Sequence, residues 1–382
     1  MLFKNTNGKE RATFQQALLH GQAPNHGLYT IPRELIPQFS LKQIVVVATS
    51  GDTGPAIGDS LFGLENIAVV IIYPGKNIYP GQRKQMTTRQ GNVYAAEVVN
   101  GDFNLCQDLA IKLMGDENFG RKTFSNEKIF TSANSISLGR LLPQIVFPFY
   151  AYSRVANNGE KMVVSIPSGN FGDMVGSVIA LKMGLPLDRI VVAVNENDEF
   201  DRFLKTDEYS ITDTKNAYSS AMDVNNPNNL PRLFDLYGGQ MINLPEHKGV
   251  IKKMPDLKAI RDDLWSFSVS NSQTLDTIKR VYSFYKIIID PHGAVGWDAL
   301  TKYHYFKHDR LAVVWETADP CKFPDVIKQA TGITPPLSEN MAKQTNLQER
   351  RFLINGPVKI TDFNFYFLHA LVVGRNVMSA HA

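Results

Sequence analysis

Ile166-Pro167-Ser168-Gly169-Asn170-Phe171-Gly172-Asp173 lies between an apolar run, Met162 to Ile166, and the segment Met174-Val175-Gly176-Ser177-Val178-Ile179-Ala180. The first run has the continuous apolar character of a buried strand, and the last reads as a helix. Gly169 and Gly172 flank Asn170-Phe171, so the backbone can turn tightly and come close to a bound group. The following helix would aim its free N–H groups at that turn, which is the physical recipe for holding a phosphate. Strand, Gly-rich turn and helix also occur in α/β proteins whose turns hold nothing, so both readings stand at this point.

The same alternation extends in both directions. Ile44 to Thr49 is a β-branched run, followed by the polar turn Ser50-Gly51-Asp52-Thr53-Gly54 and a helix near 55–62. Strands are expected at 67–73, 92–99, 128–132 and 190–194, with helices at 79–90, 103–114 and 136–156; Asp102 suits the cap of the second, and Pro143 and Pro148 would interrupt the third. This pattern predicts parallel βαβ units, in which ligands bind at the C-terminal ends of strands. The turns Ser50–Gly54, Ala133–Ser135 and Ser168–Asp173 all follow strands and are expected to converge on one cleft. Beyond Asn195 the alternation weakens. Asn225-Asn226-Pro227-Asn228-Asn229 reads as a turn cluster without a packing pattern, 259–285 as mostly helical, and 311–316 as a last buried strand. A further strand is possible at 351–354, and no pattern assigns the aromatic-rich stretch after Gly356.

One joint does not read smoothly. Residues 13–19 have helical apolar spacing and 27–32 form an extended piece; Ser40 then announces a helix as an N-cap. The strand at Ile44 begins almost at once, leaving no room for that helix, so the local signals conflict across Gln43–Ile44.

With 382 residues, 40 basic against 37 acidic side chains and a net charge of +3, the chain has no electrostatic reason to bind nucleic acid or a membrane surface. Two distant cysteines, Cys106 and Cys321, make no disulfide framework or zinc motif. The N-terminus lacks a signal-peptide core, and no apolar run would span a bilayer, so a cytoplasmic protein is expected. No metal site is expected either; His304 and His308 have helical spacing but no carboxylate company.

Taken in order, Ala48–Gly54, Ser132–Ile136, Pro167–Asp173, Ala221-Met222-Asp223-Val224, Asp290-Pro291-His292 and Thr317–Phe323 closely resemble the threonine synthases, and more distantly other fold-type II pyridoxal-phosphate enzymes. Gly27-Leu28-Tyr29 is similar to the family's N-terminal cap. The resemblance implies an α/β fold of the tryptophan synthase β-like kind: a cap at 1–43, a smaller α/β domain at 44–160 with an incomplete sheet, a larger cofactor domain at 161–335 and a tail at 336–382. It implies pyridoxal 5'-phosphate as cofactor and O-phosphohomoserine as small-molecule substrate, converted with water to threonine and phosphate by a monomer or homodimer. By the same resemblance, Gly169, Asn170, Phe171, Gly172 and Asp173 match the cofactor-phosphate loop, and Thr317 the hydroxyl facing the pyridine nitrogen. Ser50, Asp52 and Thr53 match the turn for the substrate's amino-acid end; Asn134, Ser135 and Arg140 lie in the substrate-phosphate region, where Ser137 and Gly139 depart from the usual pattern.

The larger departure is at Gln43–Ile44. Family members carry between the cap and this strand a segment of several tens of residues with the Schiff-base lysine, in a motif like Ala-Phe-Lys-Asp. This sequence contains no such motif, and Lys42, Lys84 and Lys322 do not match its position. No catalytic residue is therefore assigned, and covalent cofactor attachment is not expected. Three readings remain open: a threonine synthase-like enzyme, a protein that retains the phosphate loop and binds pyridoxal phosphate or a phosphorylated amino acid without turnover, and another lyase or synthase of the same fold type.

Overall fold

The computed structural model describes residues 2–5, 11–13, 29–30, 42–64, 67–76, 78–89, 91–115, 128–135, 137–244, 246–306 and 311–354. Three short strands, β1 (Leu2–Asn5), β2 (Arg11–Thr13) and β3 (Tyr29–Thr30), form an antiparallel sheet in the order β2-β1-β3. Thr13, expected to open a helix, instead ends β2 opposite Leu2; residues 14–19, the 27–28 pair and Ser40 lie outside the described residues.

The next stretch alternates as expected: β4 (Lys42–Ala48), α1 (Thr53–Leu61), β5 (Ile67–Pro74), α2 (Pro80–Thr87), β6 (Val93–Val98), α3 (Phe103–Gly115) and β7 (Lys128–Ser132). Its strands are all parallel, in the order β14-β6-β5-β4-β7, where β14 is Phe352–Ile354 from the far end of the chain. The tail strand is thus an edge of this sheet, and residues 355–382 lie outside the described ones. At the Gln43–Ile44 joint the extended conformation wins. Gln43 pairs with Ile67 on one side and Ile129 on the other, so two ladders override the local helix signal from Lys42 on.

The expected helix at 136–156 is two helices, α4 (Leu138–Gln144) and α5 (Val146–Val155), broken at Ile145 just after Pro143. One side packs on α6; on the other, Leu138, Leu142, Val146, Phe147 and Tyr150 stand 50–66% exposed.

The second parallel sheet has the order β12-β9-β8-β13. Its central strand β8 (Met162–Pro167) is buried throughout because helices cover both faces. Met162, Val164 and Ile166 pack under α6 (Gly172–Lys182), and Val163 packs under α11 (Pro291–Phe306). β9 (Leu187–Val194), α7 (Glu199–Thr206), α8 (Leu230–Leu236) and the hairpin β10 (Gln240–Leu244)–β11 (His247–Lys253) follow. The 259–285 stretch is mostly helix, as expected, but a strand, β12 (Leu264–Ser268), interrupts it between α9 (Leu257–Asp263) and α10 (Asn271–Tyr285). Its five residues pair in register with Ile190–Val194, and such a short run gains its conformation from that ladder rather than from its own periodicity. β13 (Leu311–Val314), α12 (Pro324–Thr331) and α13 (Glu339–Gln344) complete the order. Among the described residues no helix is long and apolar enough to cross a membrane.

Candidate functional site

The C-terminal ends of β4, β7, β8 and β13 bound one cavity of about 220 Å³. Every site residue expected from the sequence lines it: Ser50, Asp52, Thr53, Asn134, Ser135, Arg140, Gly169, Asn170, Phe171, Gly172, Asp173 and Thr317.

The loop after β8 forms the floor. Ser168 is held by its N–H on Ala193 O at 2.8 Å and its hydroxyl on Ile166 O at 2.8 Å. Phe171 then turns the chain with φ of 62°, a left-handed conformation unusual outside glycine, and begins α6. Burial of its ring against Phe200, 4.9 Å between centroids, holds that conformation. Both glycines are imposed by neighbours. A Cβ on Gly169 would stand 2.8 Å from Ala221 O, and one on Gly172 would stand 2.6 Å from Gln144 Oε1. The first turn of α6, from Gly172 to Met174, lines the cavity, and its N–H groups have no partner within the helix.

Arg140 and Asp173 set the charge. The guanidinium donates to Ala133 O at 3.1 Å and to Thr53 Oγ1 at 3.2 Å, and it has no carboxylate at ion-pair distance among the described residues. Burial pulls its pKa down. A half-buried cation with only neutral hydrogen-bond partners is held at some cost until an anion arrives. Asp173 accepts from Gln144 Nε2 at 2.6 Å; burial pushes its carboxyl up, against the pull of Arg140 and Gln144.

On the opposite wall Thr49 Oγ1 accepts from Gly51 N at 3.0 Å and Gly54 N at 2.9 Å, which shapes the Ser50–Gly54 turn. Asp52 Oδ1 accepts from Gln82 Nε2 at 3.0 Å and from Lys322 Nζ at 2.9 Å. Asn134 uses its whole amide on Ala48, accepting from its N–H at 2.8 Å and donating to its C=O at 2.6 Å, so it fixes the ends of β4 and β7 rather than reaching inward.

Several supporting residues were not legible in the sequence. The asparagine cluster at 225–229 is packed, not a free turn: Asn228 N–H donates to Asn170 Oδ1 at 3.2 Å, and the fully buried Asn229 donates through Nδ2 to Asn170 O at 2.8 Å. Arg232 Nη1 donates to Ser135 O at 2.6 Å. His292, which entered only as part of the Asp290-Pro291-His292 resemblance, is buried and lines the cavity. The run of asparagines was an available signal, whereas the contacts of Gln144 with Asp173, Gln82 with Asp52 and Arg232 with Ser135 join residues distant in sequence.

Comparison of the whole chain with known proteins finds close relatives. The threonine synthase of Haemophilus influenzae is 35% identical over 307 residues, covering 80% of this chain, and that of Saccharomyces cerevisiae is 36% identical over 322 residues, covering 77%. The chain belongs to the threonine synthase family. The family description "Threonine synthase, C-terminal" matches residues 293–359. The chain spans 66% and 62% of the length of those two relatives. Among solved structures, a threonine synthase from Brucella melitensis described as bound to pyridoxal phosphate superposes with a TM-score of 0.73 at 29% identity, covering 88% of this chain and 72% of its own. The Escherichia coli threonine synthase superposes with a TM-score of 0.72 at 26% identity, covering 93% and 96%. The α/β architecture with parallel sheets is that of these fold-type II relatives.

Proposed function

We propose that this chain is a threonine synthase-like protein whose cavity binds pyridoxal phosphate and O-phosphohomoserine, the compound that the family converts with water into threonine and phosphate. The observation that carries the reading is the gathering of Ser50, Asp52, Thr53, Ser135, Arg140, Ser168–Asp173 and Thr317 around one cavity. The Gly169–Gly172 turn fits a phosphate, because it lets the start of α6 line the cavity while its glycines pack tightly against Ala221 and Gln144 behind it. Pyridoxal phosphate, when bound, supplies an electron sink for carbanion chemistry. The chain's own groups do the holding: α6 N–H groups take the cofactor phosphate, and the Thr317 hydroxyl meets the ring nitrogen without charging it. Arg140 grips the substrate phosphate in a planar fork, and the Ser50–Thr53 turn takes the amino-acid end.

A second reading, ligand binding without turnover, is favoured by one observation: among the described residues, no lysine lines the cavity. Lys322 comes to its wall but is ion-paired with Asp52, and Lys84 donates to Thr345 O. The two readings separate on purified protein incubated with pyridoxal phosphate, reduced with borohydride and dialysed, with phosphate release from O-phosphohomoserine measured in parallel. A cofactor fixed to one lysine together with phosphate release establishes the enzyme. Full loss of cofactor on dialysis, with no release, establishes the binder.

A further inference from the structure

His292 is 1% exposed, and each of its ring nitrogens has a defined partner. Nδ1 lies 2.5 Å from Asp290 Oδ1, which also accepts the His292 N–H at 2.7 Å. Asp290 is a carboxylate acceptor, so Nδ1 carries the proton. At the other nitrogen the Ala221 N–H points at Nε2 from 3.2 Å, which requires a lone pair there. The ring is therefore neutral with its proton on Nδ1.

The Ala221 peptide is the wall behind the phosphate loop, since its carbonyl oxygen is the atom a Gly169 Cβ would meet at 2.8 Å. The other oxygen of Asp290 accepts from the N–H of Ala318, the neighbour of Thr317, at 3.3 Å. Asp290 and His292 thus tie the Gly169 side of the cavity to the Thr317 side.

We propose that His292 is a positioning residue for the phosphate loop: its neutral Nε2 holds Ala221 in place behind Gly169, and protonation of Nε2 releases that hold. The proposal rests on the reading of the cavity as a pyridoxal-phosphate site. A proton on Nε2 would leave the Ala221 N–H facing another donor, with Asp52 Oδ2, 4.0 Å away, as the alternative acceptor. The charged and titratable groups around the ring are Asp290 on its own loop, Glu316 behind Asp290, Asp52 before α1, Lys322 after β13 and Asp223 after the Ser220–Met222 turn. Burial opposes a charged ring, but Asp290 outweighs it and raises the pKa above the usual histidine value. The Ala221 N–H pulls the other way, because it bonds only to the neutral ring.

The test titrates wild type, His292→Gln and His292→Asn with pyridoxal phosphate from about pH 5.5 to about pH 9. Glutamine can keep an acceptor near the Nε2 position and cannot be protonated; asparagine can keep only the donor to Asp290. The cofactor's own phosphate titrates alike for all three proteins, so only differences between their profiles are read. Wild-type affinity is expected to rise about tenfold on the high-pH side relative to the glutamine variant, the asparagine variant to bind about tenfold more weakly than wild type at high pH, and the glutamine variant to lack the histidine limb. Imidazole nitrogen NMR of the wild type, which needs no variant to fold, is expected to show Nδ1 protonated and Nε2 bare at high pH. Superimposable profiles, or a protonated Nε2 at high pH in a protein that binds cofactor, overturn the proposal. Failure of all three proteins to bind overturns the cofactor reading of the cavity and this role with it.

Discussion

Lys322 Nζ lies 2.9 Å from Asp52 Oδ1, an ion pair that joins the segment after β13 to the turn before α1, where Asp52 lines the cavity. The two residues are 270 positions apart and belong to different sheets. Their side chains are only 17% and 20% exposed, so the pair is not screened like a surface one. Lys322→Met removes the cation and leaves Asp52 with the Gln82 hydrogen bond and His292 at 4.0 Å. Urea unfolding is expected to report a loss of about 1–3 kcal/mol. An unchanged midpoint would mean that the two sheets are held together without this contact.

Gly169→Ala tests the cradle. The new Cβ meets backbone atoms, Ala221 O at 2.8 Å and Met222 Cα at 3.1 Å, and backbone cannot rotate away as a side chain does. Overpacking there is expected to cost about 1–3 kcal/mol in stability and to weaken pyridoxal phosphate by tenfold or more, read by fluorescence titration. Gly159→Ala, also at a glycine but with nothing within 4 Å, should leave affinity unchanged.

Arg140 is expected to trade stability for ligand binding. It is a half-buried cation whose pKa desolvation has lowered, and its hydrogen-bond partners are a carbonyl and a hydroxyl. Arg140→Met should raise the unfolding free energy of the ligand-free protein by about 1 kcal/mol. It should abolish the stabilisation that O-phosphohomoserine confers in a thermal shift. A variant that is both less stable and fully responsive to that ligand would remove Arg140 from the anion site.

The elements that were legible in the sequence share one property: their signals are local. The apolar run at 162–166, the glycines at 169 and 172 and the β-branched run at 44–47 each sit within a few residues of the turn they shape. The parts that were not legible depend on partners far along the chain. Leu264–Ser268 is a strand because β9 lies beside it, Asn229 is buried because Asn170 offers a carbonyl, and Gln144 matters because Gly172 and Asp173 come to it. Ser40 shows the converse. Its helix signal was local and clear, yet the residues from Lys42 on follow the two ladders that flank them.

Asp223 sets a pH dependence of stability. Burial is the main cause that lifts its pKa from 3.8 to about 7, against hydrogen bonds from Ala217 N–H and Asn195 Nδ2. Between these two values the unfolded chain has lost the proton that the folded chain keeps, so this group's contribution to stability falls as pH rises from about 4 to about 7 and is flat above. Asp223→Asn removes the titration. The stability difference, variant minus wild type, is expected to grow by about 2–4 kcal/mol across that window in urea melts. A constant difference would mean that Asp223 is ionised throughout.

The loop Ser168–Asp173 and the cavity above it are expected to form a phosphate-directed cofactor site. Equilibrium dialysis of the purified chain against pyridoxal phosphate and against pyridoxal tests it most directly, because the two ligands differ only in the group the loop is built to hold. The expected result is saturable binding of one pyridoxal phosphate per chain, with pyridoxal weaker by at least about tenfold. Equal affinity for the two, or no saturable binding of either, would contradict it.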